Sequence, residues 1–355
     1  MSDRLSTERF LLDQQARYPA SRLQDVRKAL CQSAFGCGHR VADPLAAAEG
    51  IRREAETAPM DGREAERLDG PWSRVPLGII KEGLTPETLA TAFARSAAIP
   101  GEGIEGLEGR LAVLQALIRE GKLPFSAPEA EAELAAWQAA GFPACHHSEA
   151  YRRAYRPAYR VLHERYARLL PLLTALDRLL VERPRVLLAI EGGSAAGKST
   201  LAELLAGLYP DSAVFHADDF FLRPEQRTEE RFAQPGGNMD RERLEAEVLL
   251  PLCRGQTAEY RPFDCGTMSL GAIRRAPAAR LNIVEGAYSL HPALEGYYDL
   301  SVFLEISLET QRRRVLERNG PEWGERFFSR WIPLENAYFR AARTAERCSL
   351  RLEEV

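Results

Sequence analysis

Little in this sequence ties the chain to a membrane or to an oxidising compartment. No apolar run approaches the roughly 18 residues that a membrane-crossing helix needs. The first residues, Met1 to Arg9, carry no apolar stretch of the kind found in a secretory leader. Cysteine is sparse: Cys31, Cys37, Cys145, Cys253, Cys265 and Cys348 are scattered through 355 residues. A chain of that length buries a core without covalent staples, so reduced thiols in a cytoplasmic protein are expected. The net charge of −4 gives no general attraction to nucleic acid or to a membrane surface. What remains is an ordinary globular composition, 45% hydrophobic and 28% charged, long enough for about two domains.

One stretch stands out against that background. Gly192, Gly193, Ser194, Ala195, Ala196, Gly197, Lys198, Ser199 and Thr200 fit G-x-x-x-x-G-K-[ST] without a gap. Arg185 to Ile190 before it reads as a short buried strand. Ser199 to Leu208 after it reads as a helix with Leu201, Leu204, Leu205 and Leu208 on one side. Small residues let successive backbone N–H groups converge on a phosphate, and the helix N-terminus adds positive potential. Lys198 is placed for the β- and γ-phosphates of ATP, and Ser199 for Mg²⁺.

Up to about Arg183 the chain reads as helical, and residues 1–183 are expected to form an all-α domain. Leu23, Val26 and Leu30 share a face, as do Leu107, Leu111, Leu114 and Ile118, and then Leu134 and Trp137. Asp43-Pro44 and Thr85-Pro86 each set a capping residue before a proline at the first helical position. The exception is Val75 to Ile80, where a strand is conceivable. Cys37 and His39, with Cys145, His146 and His147 far downstream, lack the usual paired spacing of zinc ligands. Buried thiols and surface or substrate-facing histidines are expected there, with a joint zinc site as the alternative. Further on, Tyr151, Tyr155 and Tyr159 recur every four residues beside Arg152, Arg156 and Arg160. On one helix they make a tyrosine row next to an arginine row, unless Pro157 interrupts it. A solvated amphipathic face is one reading; a wall that binds an anion or a base is the other.

From residue 184 to 355 strands and helices alternate, which predicts an α/β domain with a mostly parallel sheet. Val214 to Ala217, Leu281 to Val284 and Leu300 to Ile306 are the further strands. Asp218 and Glu285 follow two of them directly. Carboxylates at the carboxyl ends of parallel strands lie where such sheets bind ligands.

Residues from about 186 to 350 resemble the uridine kinase and phosphoribulokinase group of P-loop kinases, which also includes nicotinamide riboside kinase. The landmarks come in order after the phosphate loop. His216 to Phe221 is similar to the group's Asp-x-Phe segment, Tyr260 to Asp264 to its Tyr-Asp-Phe segment, and Val284-Glu285-Gly286 to its strand-end Glu-Gly. Arg312, Arg313, Arg314 and Arg318 resemble its lid, and Arg330 to Glu335 the segment after it. The resemblance implies a small-molecule kinase using ATP and Mg²⁺. Asp218 would take the acceptor's proton, Glu285 would support the metal together with Ser199 or help position the acceptor hydroxyl, Arg314 and Arg318 would close over the phosphates, and Tyr260 and Asp264 would touch the acceptor. Phe263 and Cys265 depart from the group's pattern, so a nucleoside-like or other sugar- or polyol-containing acceptor is expected rather than uridine itself. A ribose hydroxyl of RNA and a non-catalytic ATP-binding sensor remain as alternatives. Residues 1–183 lie outside the resemblance. Their densest polar-aromatic stretch, His147, Tyr151, Arg152, Tyr155 and Arg156, is expected to complete the acceptor pocket.

Overall fold

The computed structural model describes residues 4–37, 43–60 and 62–353. Contacts divide the chain into two compact units, one running to Thr174 and one starting at Ala175.

The first unit is mostly helical: α1 (Arg4–Arg17), α2 (Leu23–Phe35), α3 (Pro44–Thr57), α4 (Pro86–Ala97), α5 (Gly103–Arg119), α6 (Ala127–Ala139), α7 (Glu149–Tyr155) and the single turn α8 (Glu164–Ala167). The apolar spacings seen in the sequence are the spacings that pack. Leu23, Val26 and Leu30 of α2 meet Leu107, Leu111, Leu114 and Ile118 of α5 and Leu134 and Trp137 of α6 in one core. Asp43 accepts a hydrogen bond from the Leu45 N–H at 2.9 Å, and Thr85 one from the Thr88 N–H at 3.2 Å, so both predicted N-caps are made.

The unit is not all-α. Glu66–Arg67 (β1), Trp72–Pro76 (β2) and Tyr159–His163 (β3) form an antiparallel sheet in the order β1-β2-β3. The tyrosine row explains the difference. Helix α7 stops at Tyr155 because Arg156 takes a left-handed conformation with φ 45° and Pro157 follows. Tyr159 therefore lies on β3, where Val161 packs with Trp72 and Leu68. Four-residue spacing is shared by a helix and by a helix broken into a strand, and proline decides between them. The expected helix from Val161 onward likewise gives way to β3, α8 and then α9 (Leu170–Glu182), inside which the division between the units falls.

In the second unit Val186–Gly192 (β4), Ser212–His216 (β5), Leu281–Glu285 (β10), Leu300–Glu305 (β11) and Leu350–Glu353 (β12) make a five-stranded parallel sheet. Its order is β12-β11-β4-β10-β5. Every residue of β4 and β10 is buried, as expected of strands covered on both faces. Lys198–Leu208 (α10) follows β4. Between β5 and β10 come the short helices Glu229–Phe232 (α11), Arg241–Leu244 (α12) and Leu250–Cys253 (α13). Two small hairpins complete that stretch, Ala258–Tyr260 (β6) paired with Arg274–Ala276 (β9), and Phe263–Asp264 (β7) paired with Ser269–Leu270 (β8). Leu308–Arg326 (α14) and Ile332–Ala342 (α15) lie between β11 and β12. On one face of the sheet Leu187, Phe215 and Val284 pack with Leu244, Val248 and Tyr338. Two glycines allow the strand ends to come close: a Cβ on Gly192 would sit 2.7 Å from the Leu304 carbonyl oxygen, and one on Gly286 2.5 Å from the Ala217 Cβ.

The first unit contains a buried ionic cluster. Arg110, 1% exposed, donates from Nε to Asp69 at 3.0 Å and from Nη1 to Glu102 at 2.8 Å, while Ser6 and Thr7 of α1 donate to the same Asp69 carboxylate. Removing one member of such a cluster leaves the other charge desolvated and unpaired. Arg110→Ala is therefore expected to cost about 3–5 kcal/mol in urea unfolding of the full chain. A loss below about 1 kcal/mol would mean that water already screens the cluster.

Candidate active site

The phosphate loop leaves β4 at Gly192 and enters α10 at Lys198, with Ala195 at φ 65° and Gly197 at φ 96° turning the backbone. Two of its carbonyls and the Ser194 amide are held by side chains from later in the chain. Gln311 Nε2 donates to the Ser194 carbonyl at 3.0 Å, and Arg314 Nη1 to the Ala195 carbonyl at 3.1 Å. Glu335 of α15 accepts from the Ser194 N–H at 2.8 Å and from its hydroxyl at 2.6 Å. Lys198 Nζ donates to the Gly193 carbonyl at 2.9 Å. Burial holds the Glu335 carboxyl above its ordinary pKa, against the Ser194 bonds that favour its ionised form.

Glu285 closes β10 next to the loop. Its Oε1 accepts from the Ser199 hydroxyl at 3.1 Å and lies 2.6 Å from Nδ1 of His216, which ends the neighbouring strand β5. That bond to Glu285 is the main reason the His216 pKa is raised. Asp218 follows His216 by two residues. Solvent reaches it, yet protein atoms crowd it. That crowding, with repulsion from Glu285, lifts its pKa against the pull of Lys198, His216 and Arg318. The structure thus brings Lys198, Ser199, Asp218, Glu285, Arg314 and Arg318 to one end of the sheet.

Asp219, adjacent in sequence, has a different fate: its Oδ2 accepts from Arg274 Nη1 at 2.8 Å. Tyr260 is buried on β6 with its ring stacked on Phe220 at 5.3 Å. Asp264 is exposed at the β7–β8 turn, where its Oδ1 accepts from the N–H groups of Gly266 and Thr267 at 2.7 and 3.3 Å, and these bonds hold its pKa down. Both residues have firm structural work beside any contact to an acceptor. Cys265 lies within electrostatic reach of both Asp218 and Arg227, and the Arg227 guanidinium lies over Phe263 at 5.5 Å. Along α14, Gly320 at φ 73° breaks the helical geometry just before Pro321, and Arg312 and Arg318 lie over Phe328 and Phe327 of the returning segment.

The candidates of the first half fall within their own unit. His147 is buried between Asp25, 3.1 Å from Nδ1, and the Tyr159 hydroxyl, 2.6 Å from Nε2, and stacks on Tyr151 at 4.2 Å. Arg152 and Arg156 are exposed. Cys37 packs beside Trp72, Cys145 interacts with the Cys31 thiol, and the His146 carbonyl accepts from Gln24. His39 lies outside the described residues, among which no three histidine, cysteine or acidic side chains are grouped to hold a metal. No helix among them is long and apolar enough to cross a membrane.

Sequence reasoning missed Glu191. It is the next-to-last residue of β4, with no exposed surface, and its carboxylate accepts from the N–H groups of Gly192, Tyr288 and Leu290 at 3.2, 2.9 and 2.9 Å and from the Tyr338 hydroxyl at 3.2 Å. A charged residue within a buried strand was the available signal.

No protein-family model matches the chain, and no curated protein does. Solved structures do. A "possible uridine kinase" from Bacillus stearothermophilus is similar at 20% sequence identity, over 51% of this chain and 99% of that one, with a TM-score of 0.39. D-glycerate 3-kinase from Cryptococcus neoformans is similar at 16% identity, over 46% of this chain and 84% of that one, with a TM-score of 0.34. These similarities cover about half of the chain, and its N-terminal half is unmatched.

Burial lifts the Glu191 pKa from the ordinary 4.5 to about 7, outweighing the three N–H donors that favour the carboxylate. The folded chain thus keeps this proton to a higher pH than the unfolded chain. The associated stability is complete below about pH 4.5 and is lost as pH rises through about 7. Glu191→Gln removes the titration. Between those two pH values the wild type is expected to lose about 3 kcal/mol relative to the variant in urea unfolding. Parallel pH profiles for the two proteins would show that Glu191 stays ionised throughout.

Proposed function

We propose that the second unit is a kinase that transfers the γ-phosphoryl group of ATP to a hydroxyl of a nucleoside-like or other sugar- or polyol-containing small molecule. One observation carries the reading. Lys198 and Ser199 after β4, Asp218 after β5 and Glu285 at the end of β10 converge at the same end of three adjacent parallel strands.

Phosphoryl transfer to an alcohol requires neutralised phosphate charge, an acceptor oxygen in line and a group that takes the hydroxyl proton. Asp218 suits the last role. It is open to solvent, close to Lys198, and its raised pKa makes it a better proton acceptor than an ordinary carboxylate. The Ser199 hydroxyl and the Glu285 carboxylate are hard oxygen donors 3.1 Å apart, a donor set that fits Mg²⁺. When bound, Mg²⁺ supplies charge neutralisation at the phosphate oxygens. His216 keeps the Glu285 carboxylate oriented through its 2.6 Å contact. Lys198, Arg314 and Arg318 supply the remaining positive charge. The acceptor hydroxyl would approach Asp218 from the side of Cys265, and the Arg227 guanidinium over Phe263 favours an acceptor with a ring or several oxygens.

The test is product analysis after incubating ATP and Mg²⁺ with a panel of nucleosides, sugars and polyols. Asp218→Asn is expected to lower kcat by about 10²- to 10⁴-fold while KM for ATP stays within a few fold. Lys198→Ala should fold normally and lose transfer, because its contact is to a loop carbonyl and not to the core. Asp219→Asn should be the milder change, since that carboxylate is already committed to Arg274. A crippled Asp219→Asn beside an active Asp218→Asn would move the base by one residue. ATP binding without any phosphorylated product would instead favour a non-catalytic sensor.

A further inference from the structure

We infer that the first unit carries a ligand site of its own, built for a nucleotide-like anion, meaning a flat heterocyclic ring that bears a phosphate. The inference rests on a cavity of about 650 Å³ lined wholly by residues between 10 and 159. That volume lies within the roughly 300–1,000 Å³ of small-molecule sites.

One wall is aromatic and rigid. Tyr18 sits 5.3 Å from Tyr151 and 5.0 Å from Tyr155, and those two rings are 4.7 Å apart. Tyr155 cannot swing freely, because its hydroxyl accepts from the Ala20 N–H at 2.8 Å. A fixed set of rings offers faces for a base to stack on without further ordering cost.

The lining also includes a buried arginine. Arg74 lines the cavity, and its side chain is 4% exposed. Its Nε donates to Gln32 at 2.8 Å, and its guanidinium lies over the Tyr159 ring at 5.0 Å. Its acidic neighbour is Glu66, 3.4 Å from Nη1, but Glu66 is shared with Arg17 at 3.8 Å and with Gln14 at 2.6 Å. Two guanidiniums thus lean on one carboxylate. Nη2 of Arg74 has no hydrogen-bond partner among the described residues. Arg74 also lines a void of about 10 Å³ with Gln15, room for a single water that would brace the guanidinium without filling the larger cavity. Its charge is felt nearby: after burial, Arg74 is the main cause that holds Lys28 below its ordinary pKa, and it also pushes His147 down. Four arginines, Arg17, Arg63, Arg67 and Arg74, line the cavity with three acids, Asp13, Glu64 and Glu66, an excess that favours an anion, and a planar fork favours phosphate oxygens. Rings and fork together select a ring with a phosphate over either alone.

Calorimetric titration of the full chain tests this with AMP, adenosine, inorganic phosphate and a 5′-phosphorylated single-stranded ribohexanucleotide. AMP is expected to bind saturably, with adenosine and phosphate at least about tenfold weaker. Arg74→Gln and, as a change at a half-exposed position that spares the core, Tyr155→Ala should each weaken AMP about tenfold or more, while Lys198→Ala leaves it unchanged. If the hexanucleotide binds better than AMP and shows the same response to the variants, the site stands and its nucleotide is a strand end. No saturable binding of either probe overturns the inference. So does binding that falls in Lys198→Ala or Asp218→Ala and survives in the cavity variants, which would put the ligand in the phosphate-loop site.

Discussion

At the end of the central strand the carboxylate of Glu191 is removed from water, and three loop amides and the Tyr338 hydroxyl close around it. Burying such a group without partners costs several kcal/mol, so the partners cannot leave without exposing that cost. They come from the start of the phosphate loop, from the segment after β10 and from α15. A second carboxylate, Glu335, repeats the arrangement one turn earlier on α15 by binding Ser194 through both its amide and its hydroxyl. Two acids placed behind the loop therefore set its shape, and the loop's glycines need only permit it.

The same neighbourhood shows how two adjacent acids come to differ. Asp219 gains a charge-assisted bond from Arg274, which commits it to the β6–β9 hairpin. Asp218, one residue earlier, faces the loop, where crowding and Glu285 raise its pKa despite Lys198. Environment, not residue type, separates a structural carboxylate from one suited to accept a proton.

Much of this was legible in the sequence because it is local. The phosphate loop, the strands on either side of it and the acids at strand ends follow from contiguous residues whose periodicity and spacing carry the information. The caps at Asp43 and Thr85 were readable for the same reason. What was not legible depends on distant partners. Tyr151, Tyr155 and Tyr159 share a helical spacing, but a left-handed Arg156 and Pro157 split them between a helix and a strand, and β3 pairs with β2 about 85 residues away in sequence. Glu191 reads as an oddity until the amides of Tyr288 and Leu290 are brought to it. Asp264 looked free for an acceptor, yet two amides within three residues claim one of its oxygens, a turn that Asp-Cys-Gly allowed but did not require.

The loop's cations add a last step. Lys198 and Arg314 both donate to neutral carbonyls of the loop, those of Gly193 and Ala195. Bonds from a cation to a phosphate oxygen are stronger than bonds to a neutral carbonyl, because both partners are charged. For the proposed transfer, a triphosphate in the loop would draw both cations by exchange, each giving up one carbonyl bond for a stronger one. Lys198 is fixed to the first turn of α10, so its exchange needs side-chain rotation alone. Arg314 sits on α14, the helix that Gly320 and Pro321 interrupt, so its movement is coupled to the position of that helix and to Arg318 one turn further along. In that proposed exchange the position of α14 and the phosphate charge would be linked through one guanidinium. For the proposed transfer, the carboxylates of Glu191 and Glu335 would hold the loop's backbone in place while the two cations change partners.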